Sequence, residues 1–507
     1  MNRVEHGSVP RLDAILARAA LSDPDREAVV FGDLSWTYSV VHERACRLAG
    51  ALAELGVRKG DRVALWTTNR PEFVEVFFGV PQLGAICSPV DFWWSWKDAA
   101  VALTQIRPKV LIVGPAQAAL VAESRAALRE VGIEHVLCLD APPAGSEFKS
   151  YADAISNAGK LKHSTPVAAS DPAIILFTSG STGRSKGAVH THGGLMATAT
   201  TMCLELGLAD GERTLHFLPL FSSCLEHLLP LTLARATHVI LPHFDSHAVW
   251  DAVRDAKVTH FDAVPTTLRR ILKDAPAEIP PSLRMISYAS ERMPEPLIRA
   301  LLERMPGVRF VQFYGMIEHL CLTVLSASDH LRKIDTVGRP MLGAQLYCSE
   351  SGEIVARSPT MFAGYWNDPE TTSKVMHEQW MRTGDIGQFD DQGFLRLKGR
   401  VKEIIKSGGM TVIPNEVEAA LMSHPGVSDV AVVGMPDEEW GEAVHAFVIP
   451  ASGATVSAAD LKGYCQERLA NYKRPKVIHL VAELPRTGIG KIARRVVRER
   501  ALASGVI

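Results

Sequence analysis

The chain has 507 residues, which is enough for about two to four domains of ordinary size. Its 54 Lys and Arg residues nearly balance its 56 Asp and Glu residues, so the formal net charge of −2 gives no electrostatic reason to expect a nucleic acid or an anionic membrane as partner. With 47% apolar and 22% charged residues, the composition excludes a wholly disordered chain, a collagen and a small disulfide-bonded scaffold.

Cysteine usage predicts a reducing compartment. The 8 cysteines are scattered, and no two are spaced as a CxxC pair or a zinc knuckle. The N-terminal stretch lacks the apolar core of a signal peptide, and no apolar run approaches the roughly 20 residues of a membrane span. We therefore expect a cytoplasmic protein with no membrane span.

The first part of the chain alternates between helical and strand patterns. The predicted elements are, in chain order, a helix over 38–55 that ends at Gly56, a strand over 62–66, a helix over 72–83, a strand over 109–113, strands over 173–177 and 237–241, and a helix over 247–257. This alternation is typical of an α/β fold with mostly parallel sheets flanked by helices.

A second, smaller domain is predicted after residue 395, where a charged, glycine-containing stretch interrupts the pattern. It is followed by a helix over 415–422, strands over 428–434 and 443–449, a helix over 457–470 and a basic tail. About 100 residues suffice for a small α+β domain. We place the boundary near Lys402, which gives a large domain over 1–400 and a small domain over 401–507.

The sharpest local signal is the run TSGSTGRSKG over residues 178–187, directly after an apolar strand. Its three glycines let backbone N–H groups approach an anion, four hydroxyls can donate to phosphate oxygens, and Lys186 adds a positive charge. The spacing is not that of a Walker A loop. A solvated Gly/Ser turn is the alternative, which the buried strand before the run and the Gly187-Ala188-Val189 stretch after it disfavour.

Five further motifs follow in order: QFYGMIE over 312–318; GEI over 352–354 with GYW over 364–366; TGD over 383–385 with GFL over 393–395; GRVKEIIK over 399–406; and PRTGIGK over 485–491. Together with the 178–187 run, they resemble the signature motifs of the adenylate-forming superfamily, in its acyl-CoA and aryl-CoA ligase branch. The resemblance covers nearly the whole chain. It implies a large α/β domain and a small, mobile C-terminal domain.

The resemblance implies an ATP-dependent, AMP-forming acid–thiol ligase. A carboxylate is a poor electrophile because its leaving group would be oxide. Such enzymes first join the carboxylate to the α-phosphorus of ATP, and the thiol of CoA then displaces AMP. The implied substrates and cofactors are a small-molecule carboxylic acid, ATP, Mg²⁺ and CoA.

The resemblance also assigns roles to residues. Lys491 reaches the acyl carboxylate and the α-phosphate, Glu318 and Thr178 bind Mg²⁺, and Asp385 accepts hydrogen bonds from the ribose beside Arg400. The whole implied nucleotide site consists of Thr178, Ser179, Gly180, Ser181, Thr182, Gly183, Lys186, Ala289, Ser290, Glu291, Gln312, Phe313, Tyr314, Gly315, Met316, Ile317, Asp385, Arg400 and Lys491. A solvated lysine and a core tyrosine are the alternatives for Lys491 and Tyr314.

The second half-reaction needs a different wall against the adenylate, because Lys491 occupies the space that the thiol must cross. By resemblance, the small domain swings about Lys402, which we include among the catalytic residues. This movement presents Lys406, Ser407, Gly408 and Gly409 to CoA, and the glycines would let pantetheine lie close to the backbone. A plain interdomain linker is compatible with the same residues.

Three positions depart from the family pattern. Ser222 stands where a histidine often gates the acyl pocket, and we do not assign that role to His227. Ile317 stands where a threonine usually helps to hold a phosphate, a loss of about 1–3 kcal/mol of transition-state stabilisation. Ala289 stands where glycine is common. These departures bear on rate and substrate shape more than on fold.

An apolar acid pocket is suggested by Phe221, Ser222, Cys224, Leu225, Met316 and Leu320. The stretch 221–225 has no acidic residue that would pair with an amino group. By resemblance, the sequence is closer to fatty-acyl and aryl-CoA ligases than to amino-acid adenylation domains, and the resemblance implies fatty-acid metabolism. The aromatic run over 92–96 is open to three interpretations: a pocket wall, a homodimer surface or ordinary packing.

Alternatives to a CoA ligase stay open. One is a stand-alone adenylation protein that loads an acyl carrier protein on a separate chain. Another is a non-catalytic nucleotide-binding relative, motivated by Ser222 and Ile317, against which the retained Lys491, Glu318, Asp385 and Arg400 argue. Oxygen-dependent light emission is the remotest.

Overall fold

The computed structural model describes residues 11–178, 185–291, 293–486 and 492–503. The chain divides into two compact units: the first comprises residues 1–345 and 357–379, and the second comprises residues 346–356 and 380–507. Lys402 thus lies inside the second unit. A division by compactness does not locate a pivot, so the hinge and the boundary at 400 stay predictions.

The α-helices are α1 (Asp13–Ser22), α2 (Tyr38–Glu54), α3 (Glu72–Gly79), α4 (Trp96–Ile106), α5 (Pro115–Glu123), α6 (Leu128–Val131), α7 (Tyr151–Asn157), α8 (His192–Leu206), α9 (Leu220–Ser223), α10 (Leu229–Leu233), α11 (Ser246–Asp255), α12 (Pro265–Lys273), α13 (Glu295–Arg304), α14 (Pro369–Val375), α15 (Pro414–Met422), α16 (Ala458–Gln466) and α17 (Arg494–Ala503). A π-helical turn, Cys224–Leu228, joins α9 to α10.

The strands are β1 (Glu27–Phe31), β2 (Leu34–Thr37), β3 (Arg62–Trp66), β4 (Ile86–Pro89), β5 (Val110–Val113), β6 (His135–Cys138), β7 (Lys149–Ser150), β8 (Pro172–Thr178), β9 (Lys186–Thr191), β10 (Arg213–His216), β11 (Thr237–Ile240), β12 (His260–Ala263), β13 (Met285–Tyr288), β14 (Arg309–Tyr314), β15 (Thr323–Leu325), β16 (Arg339–Pro340), β17 (Gln345–Cys348), β18 (Glu353–Arg357), β19 (Gly364–Tyr365), β20 (Met376–His377), β21 (Trp380–Phe389), β22 (Leu395–Arg400), β23 (Ile405–Ser407), β24 (Met410–Val412), β25 (Val427–Asp437), β26 (Gly441–Pro450) and β27 (Val477–Leu480).

The first unit contains two sheets with parallel centres; both edges of the nine-stranded sheet are antiparallel, whereas the eight-stranded sheet is antiparallel only at its β19-β9-β8 edge. The nine-stranded sheet has the order β16-β15-β14-β13-β12-β10-β11-β1-β2, and its central pairs from β14 to β1 are parallel. One of its faces packs Leu215, Phe261 and Ile286 against apolar side chains of α11, α12 and α13. The other face carries Met285, which packs on Met202 of α8.

The eight-stranded sheet has the order β19-β9-β8-β4-β3-β5-β6-β7. Strand β3 shows why its sequence is apolar without alternation. Val63 and Leu65 pack into one core while Ala64 and Trp66 pack into another, so both faces of the strand are buried.

The second unit is an α+β assembly built mostly on antiparallel ladders. Strands β18, β21 and β22 pair antiparallel, and a further sheet has the order β24-β23-β26-β25 with β27 parallel to β26. Valines of β25 face one core with α15 and α16, while Ala431, Val433 and Met435 face another with Val497 of α17. The predicted fold class, a large α/β part and a small α+β part, is confirmed.

Where predicted boundaries differ, local chemistry explains the shift. The helix expected over 72–83 is α-helical only to Gly79 and continues as a 3₁₀ turn, Val80–Leu83, at Pro81, which has no N–H to donate. The helix expected over 457–470 begins where the Ser457 side chain accepts from the Asp460 N–H, and its α-helical part ends at Gln466. Within the described ranges, no helix is both long and apolar enough to cross a bilayer.

Candidate active site

The carboxyl ends of four parallel strands meet at one edge of the nine-stranded sheet. Strand β14 lies beside β13 with Tyr288 opposite Gln312, so the 289–291 turn lies next to the segment after Tyr314. Strands β12 and β10 end at the same edge, and the chain leaves β10 toward Phe221. In open α/β sheets this edge is where ligands bind.

The 289–291 turn is held in an uncommon backbone conformation. Ser290 has a φ of +74°, a left-handed value rare for a residue with a side chain, and the Glu291 N–H donates to the Ala289 carbonyl at 2.9 Å. The Glu291 carboxylate accepts from the backbone N–H and the hydroxyl of Thr266 at 3.3 and 3.0 Å. The end of β13 is thereby fixed to the start of α12, as a wall of a binding site requires.

Gly315 is demanded by the tight turn that follows β14. A Cβ atom there would lie 1.7 Å from the Leu320 carbonyl oxygen, and the His319 and Leu320 N–H groups donate to the Met316 carbonyl at 2.9 and 2.6 Å. Tyr314, at the end of the strand, is 7% exposed. The chain therefore doubles back over 315–320 and presents Glu318 beside the eight-stranded sheet.

Glu318, Tyr365 and Lys186 come together where β9 begins. Strand β19 pairs with β9 and so brings Tyr365 to the hairpin, where its hydroxyl donates to Glu318 Oε1 at 2.6 Å. Lys186 Nζ lies 5.0 Å from the centre of the Tyr365 ring, a cation–π contact. Thr178 is the register partner of Lys186. The structure thus places Glu318, Lys186 and the base of the 178–187 run in one region.

Lys186 also lines a cavity of about 510 Å³. Its other lining residues are Gln105, Ser185, Trp366, Asn367, Asp368 and Thr371. Ser179, Gly180, Ser181, Thr182 and Gly183 lie outside the described residues, as does Lys491. Their assignments stay predictions.

Apolar residues of the predicted acid pocket share one core. Leu225 and Leu320 belong to the same cluster, against which Phe221 and Ile317 pack. The Phe221 ring meets Phe92 and Trp93 edge-on, at centroid distances of 5.6 and 5.9 Å. Part of the aromatic run over 92–96 therefore packs on a predicted pocket residue.

The other predicted pocket positions differ in how the structure places them. The Ser222 hydroxyl donates to the Pro219 carbonyl at 3.1 Å, a hydrogen bond within its own helical turn. Met316 is partly buried, and Cys224 lies on the π-helical turn, although its side chain is outside the described set. The acid-pocket assignment stays a prediction for these three, as it does for Phe221, Leu225 and Leu320.

In the second unit, Asp385 and Arg400 are neighbours. They are register partners on β21 and β22, and Arg400 Nε lies 3.0 Å from Asp385 Oδ1. The Asp385 N–H donates to the Thr383 hydroxyl oxygen at 3.1 Å, and Asp385 is 6% exposed. This geometry orients a carboxylate on a rigid ladder.

The predicted hinge residue and the predicted CoA-binding residues come shortly after Arg400 in the sequence. Lys402 is exposed on a 3₁₀ turn, Val401–Glu403. Ser407 opposes Met410 across the β23–β24 hairpin, so Gly408 and Gly409, with φ of +57° and +76°, form a two-residue turn. The turn itself thus explains the glycines. Lys406 Nζ donates to the Thr411 hydroxyl at 2.9 Å.

Sequence reasoning missed two groups. Tyr365 was noticed only as part of a motif, and its pairing with Glu318 depends on β19 joining β9. The second group is a set of buried polar side chains that includes Glu226, His227 and Asp262. Their signal in the sequence is charged and histidine residues within otherwise apolar segments.

Comparison with known proteins agrees with this geometry. The family model "AMP-binding enzyme" matches residues 16–366, and "AMP-binding enzyme C-terminal domain" matches residues 416–491. A feruloyl-CoA synthase from Amycolatopsis sp is 34% identical over 95% of this chain and 97% of its own length. A long-chain-fatty-acid–CoA ligase from Mycobacterium tuberculosis is 33% identical over 93% of this chain and 94% of its own.

A solved structure shows the same fold. The crystal structure of an anthranilate CoA ligase in complex with anthranoyl-AMP covers 100% of both chains at a TM-score of 0.89 and 28% identity. The motifs, the two-part fold and these likenesses agree. The chain belongs to the AMP-binding enzyme family, in its branch of AMP-forming acid–thiol ligases.

Proposed function

We propose that this ligase adenylates a carboxylic acid with a largely apolar body and passes the acyl group to CoA. The observation that carries the proposal is the meeting of Glu318, Tyr365 and Lys186 at the base of the 178–187 run. The apolar cluster around Phe221, Leu225 and Leu320 supports an apolar acid. Related chains are named for feruloyl and long-chain fatty acyl substrates.

In the first half-reaction, a carboxylate oxygen attacks the α-phosphorus of ATP. The bond from that phosphorus to the bridging oxygen breaks, and pyrophosphate leaves with the electron pair. Two anions meet in this step, so the site must supply fixed positive charge. Lys186 supplies one charge near the phosphates, and by family resemblance Lys491 supplies the other at the reacting atoms.

The donor set fits Mg²⁺ held mainly by the nucleotide. Within the described residues, no group of three or more His, Cys, Asp or Glu side chains is placed to hold a metal ion. Mg²⁺ at nucleotide sites is commonly bound by one or two carboxylates and the phosphates, and Glu318 with the Thr178 hydroxyl offers oxygen ligands of that kind. When bound, the ion neutralises phosphate charge, while Tyr365 orients the Glu318 carboxylate by a 2.6 Å hydrogen bond.

The remaining roles are assigned by family resemblance. The 289–291 turn and Tyr314 bind adenine, together with the other predicted nucleotide residues of 312–317. Asp385 accepts hydrogen bonds from the two ribose hydroxyls, and Arg400 holds that carboxylate in place. A pivot at Lys402 then exchanges Lys491 for the 406–409 hairpin, which borders the approach of the CoA thiol.

The test measures pyrophosphate release across short, medium, branched and aromatic acids, with and without CoA. We expect release with at least one class of apolar acid and a matching amount of acyl-CoA when CoA is present. Silence across the panel would contradict the function and favour a non-catalytic nucleotide-binding role. Release without thioester would instead favour an acyl carrier protein as acceptor.

A further inference from the structure

Part of one face of the nine-stranded sheet, from β11 to β13, is polar although it is buried. Thr214 and His216 of β10, His238 of β11, His260 and Asp262 of β12 and Ser287 of β13 are each at most 6% exposed. The opposite face holds the apolar partners in the same strands, Leu215 and Phe261 among them. These six side chains, with Thr232, Glu226 and His227, are called the polar cluster below.

Part of the polar cluster is hydrogen-bonded in two short chains. His216 Nε2 and His238 Nδ1 share a hydrogen bond of 2.9 Å, and His238 Nε2 lies 2.9 Å from the Thr232 hydroxyl. His260 Nε2 lies 2.8 Å from the Ser287 hydroxyl, which also donates to Asp262. These contacts orient the histidine rings, and they leave some polar atoms of the polar cluster without a hydrogen-bond partner.

The π-helical turn Cys224–Leu228 adds two titratable side chains, Glu226 and His227. His227 Nδ1 lies 2.7 Å from Asp262 Oδ2. Burial alone would raise the pKa of Asp262, but His227 and His260 hold that pKa well below its usual range. Burial would likewise lower the pKa of His227, yet Asp262 and Glu226 raise it. The two form an internally compensated ion pair. Single π turns are frequent at functional sites.

Apart from His227 Nδ1, which lies in the ion pair with Asp262, three polar atoms of the polar cluster have no hydrogen-bond partner among the described residues. They are Thr214 Oγ1, His260 Nδ1 and Glu226 Oε2. Thr214 and His260 are register partners on neighbouring strands, and both side chains are 0% exposed. An unpaired buried polar group costs about 1–3 kcal/mol, so such atoms normally face a ligand or ordered water.

The polar cluster borders the predicted acid pocket. Leu225 lies on the same π-helical turn as Glu226, and it packs in one core with Leu320. The next residue, Cys321, has its pKa raised well above the usual value by burial and by the nearby charges of Glu226 and Asp262. Apolar residues of the predicted pocket therefore have hydrogen-bonding groups next to them.

We propose that Glu226, His260 and Thr214 form a specificity-determining polar subsite, which receives a hydroxyl or oxo oxygen carried by the acid at the end remote from its carboxylate. This proposal rests on the proposed function. A hydroxyl can both donate and accept, which suits a mixed set of hydroxyl, imidazole and carboxyl. Burial raises the pKa of Glu226, so its carboxyl can also donate to an oxygen.

A second carboxylate on the substrate is a poor fit. In the described part of the chain, no lysine or arginine forms a hydrogen bond or ion pair with the polar cluster, while the Asp262 carboxylate would repel it. An ammonium group is also a poor fit, because Asp262 and Glu226 outweigh burial and raise the pKa of His227, which favours a positive charge on that imidazole. We therefore commit to a neutral oxygen group.

The test compares matched acids in the pyrophosphate-release assay. The probes are hexanoic acid with its ω-hydroxy and ω-amino derivatives, and phenylpropanoic acid with its para-hydroxy derivative. The enzymes are wild type, Glu226→Leu, Glu226→Gln and, as control, Glu123→Gln at the exposed end of α5. Thermal unfolding of each variant is measured alongside.

We expect wild type to prefer the hydroxylated acid in at least one pair by about tenfold or more in kcat/KM. Glu226→Leu should reduce that ratio to near one, Glu226→Gln should retain part of it, and the control should retain all of it. A wild-type preference for the unsubstituted acid or for the ω-amino derivative overturns the subsite and leaves the ligase function standing. An unchanged ratio in Glu226→Leu has the same consequence. Silence with every acid, these and the wider panel, overturns the ligase function and this inference with it.

Discussion

Replacing Tyr365 with Phe tests whether a single hydrogen bond positions Glu318. The hydroxyl lies 2.6 Å from Glu318 Oε1 on a side chain that is 9% exposed. Burial and the Glu318 carboxylate both raise the pKa of Tyr365, so the phenol is a protonated donor at neutral pH. Hydrogen bonds to charged groups are worth about 1.5–3 kcal/mol. If that loss falls on the transition state, kcat/KM decreases about 10- to 100-fold.

The aromatic ring remains in Tyr365→Phe, so its contacts with Phe362 and Lys186, both at 5.0 Å, are retained. Pyrophosphate release is measured while Mg²⁺ is titrated at fixed ATP, and the apparent Mg²⁺ requirement should rise. The control is Tyr347→Phe, a 47% exposed tyrosine that packs on Trp380. A kcat/KM within about twofold of wild type, with an unchanged Mg²⁺ requirement, would refute the positioning role.

Three further predictions concern the cation, the turn and pH. Lys491→Ala should abolish adenylate formation but spare thioester formation from supplied acyl-adenylate; equal loss in both assays would contradict the two-face scheme. Gly315→Ala should prevent folding because its Cβ would lie 1.7 Å from a carbonyl oxygen. Gly463→Ala, in helix α16 with open space around it, should instead raise the free energy of unfolding, measured in urea, by about 0.5–1 kcal/mol. Equal behaviour of the two variants would refute the turn argument. Burial lowers the pKa of His190 and His319 to about 4, so the unfolded state binds protons first as pH falls from about 6.5 to 4. The free energy of unfolding should decrease over that window by up to about 3 kcal/mol for each, and a pH-independent urea midpoint would contradict this.

The local sequence was sufficient to predict the features that depend only on residues close together along the chain. The strand over 62–66 is β3 as predicted, because four of its five positions are buried and no partner residue is needed to recognise an apolar run. The ordered motifs likewise identified the family, since glycine-rich turns and charged positions keep their spacing along the chain. Tight turns also follow locally, as the Gly408–Gly409 hairpin illustrates, although there the structural reason differs from the one expected.

The pairings across the fold needed the tertiary structure. Tyr365 and Glu318 are 47 residues apart, and they meet only because β19 joins β9. The unpaired atoms of Thr214 and His260 become neighbours because β10 lies between β11 and β12, an order that no local pattern encodes. Burial and strand order decide which polar groups lose water and which find a partner. For that reason the polar cluster, read along the chain, is only a scatter of histidines and acids in apolar strands.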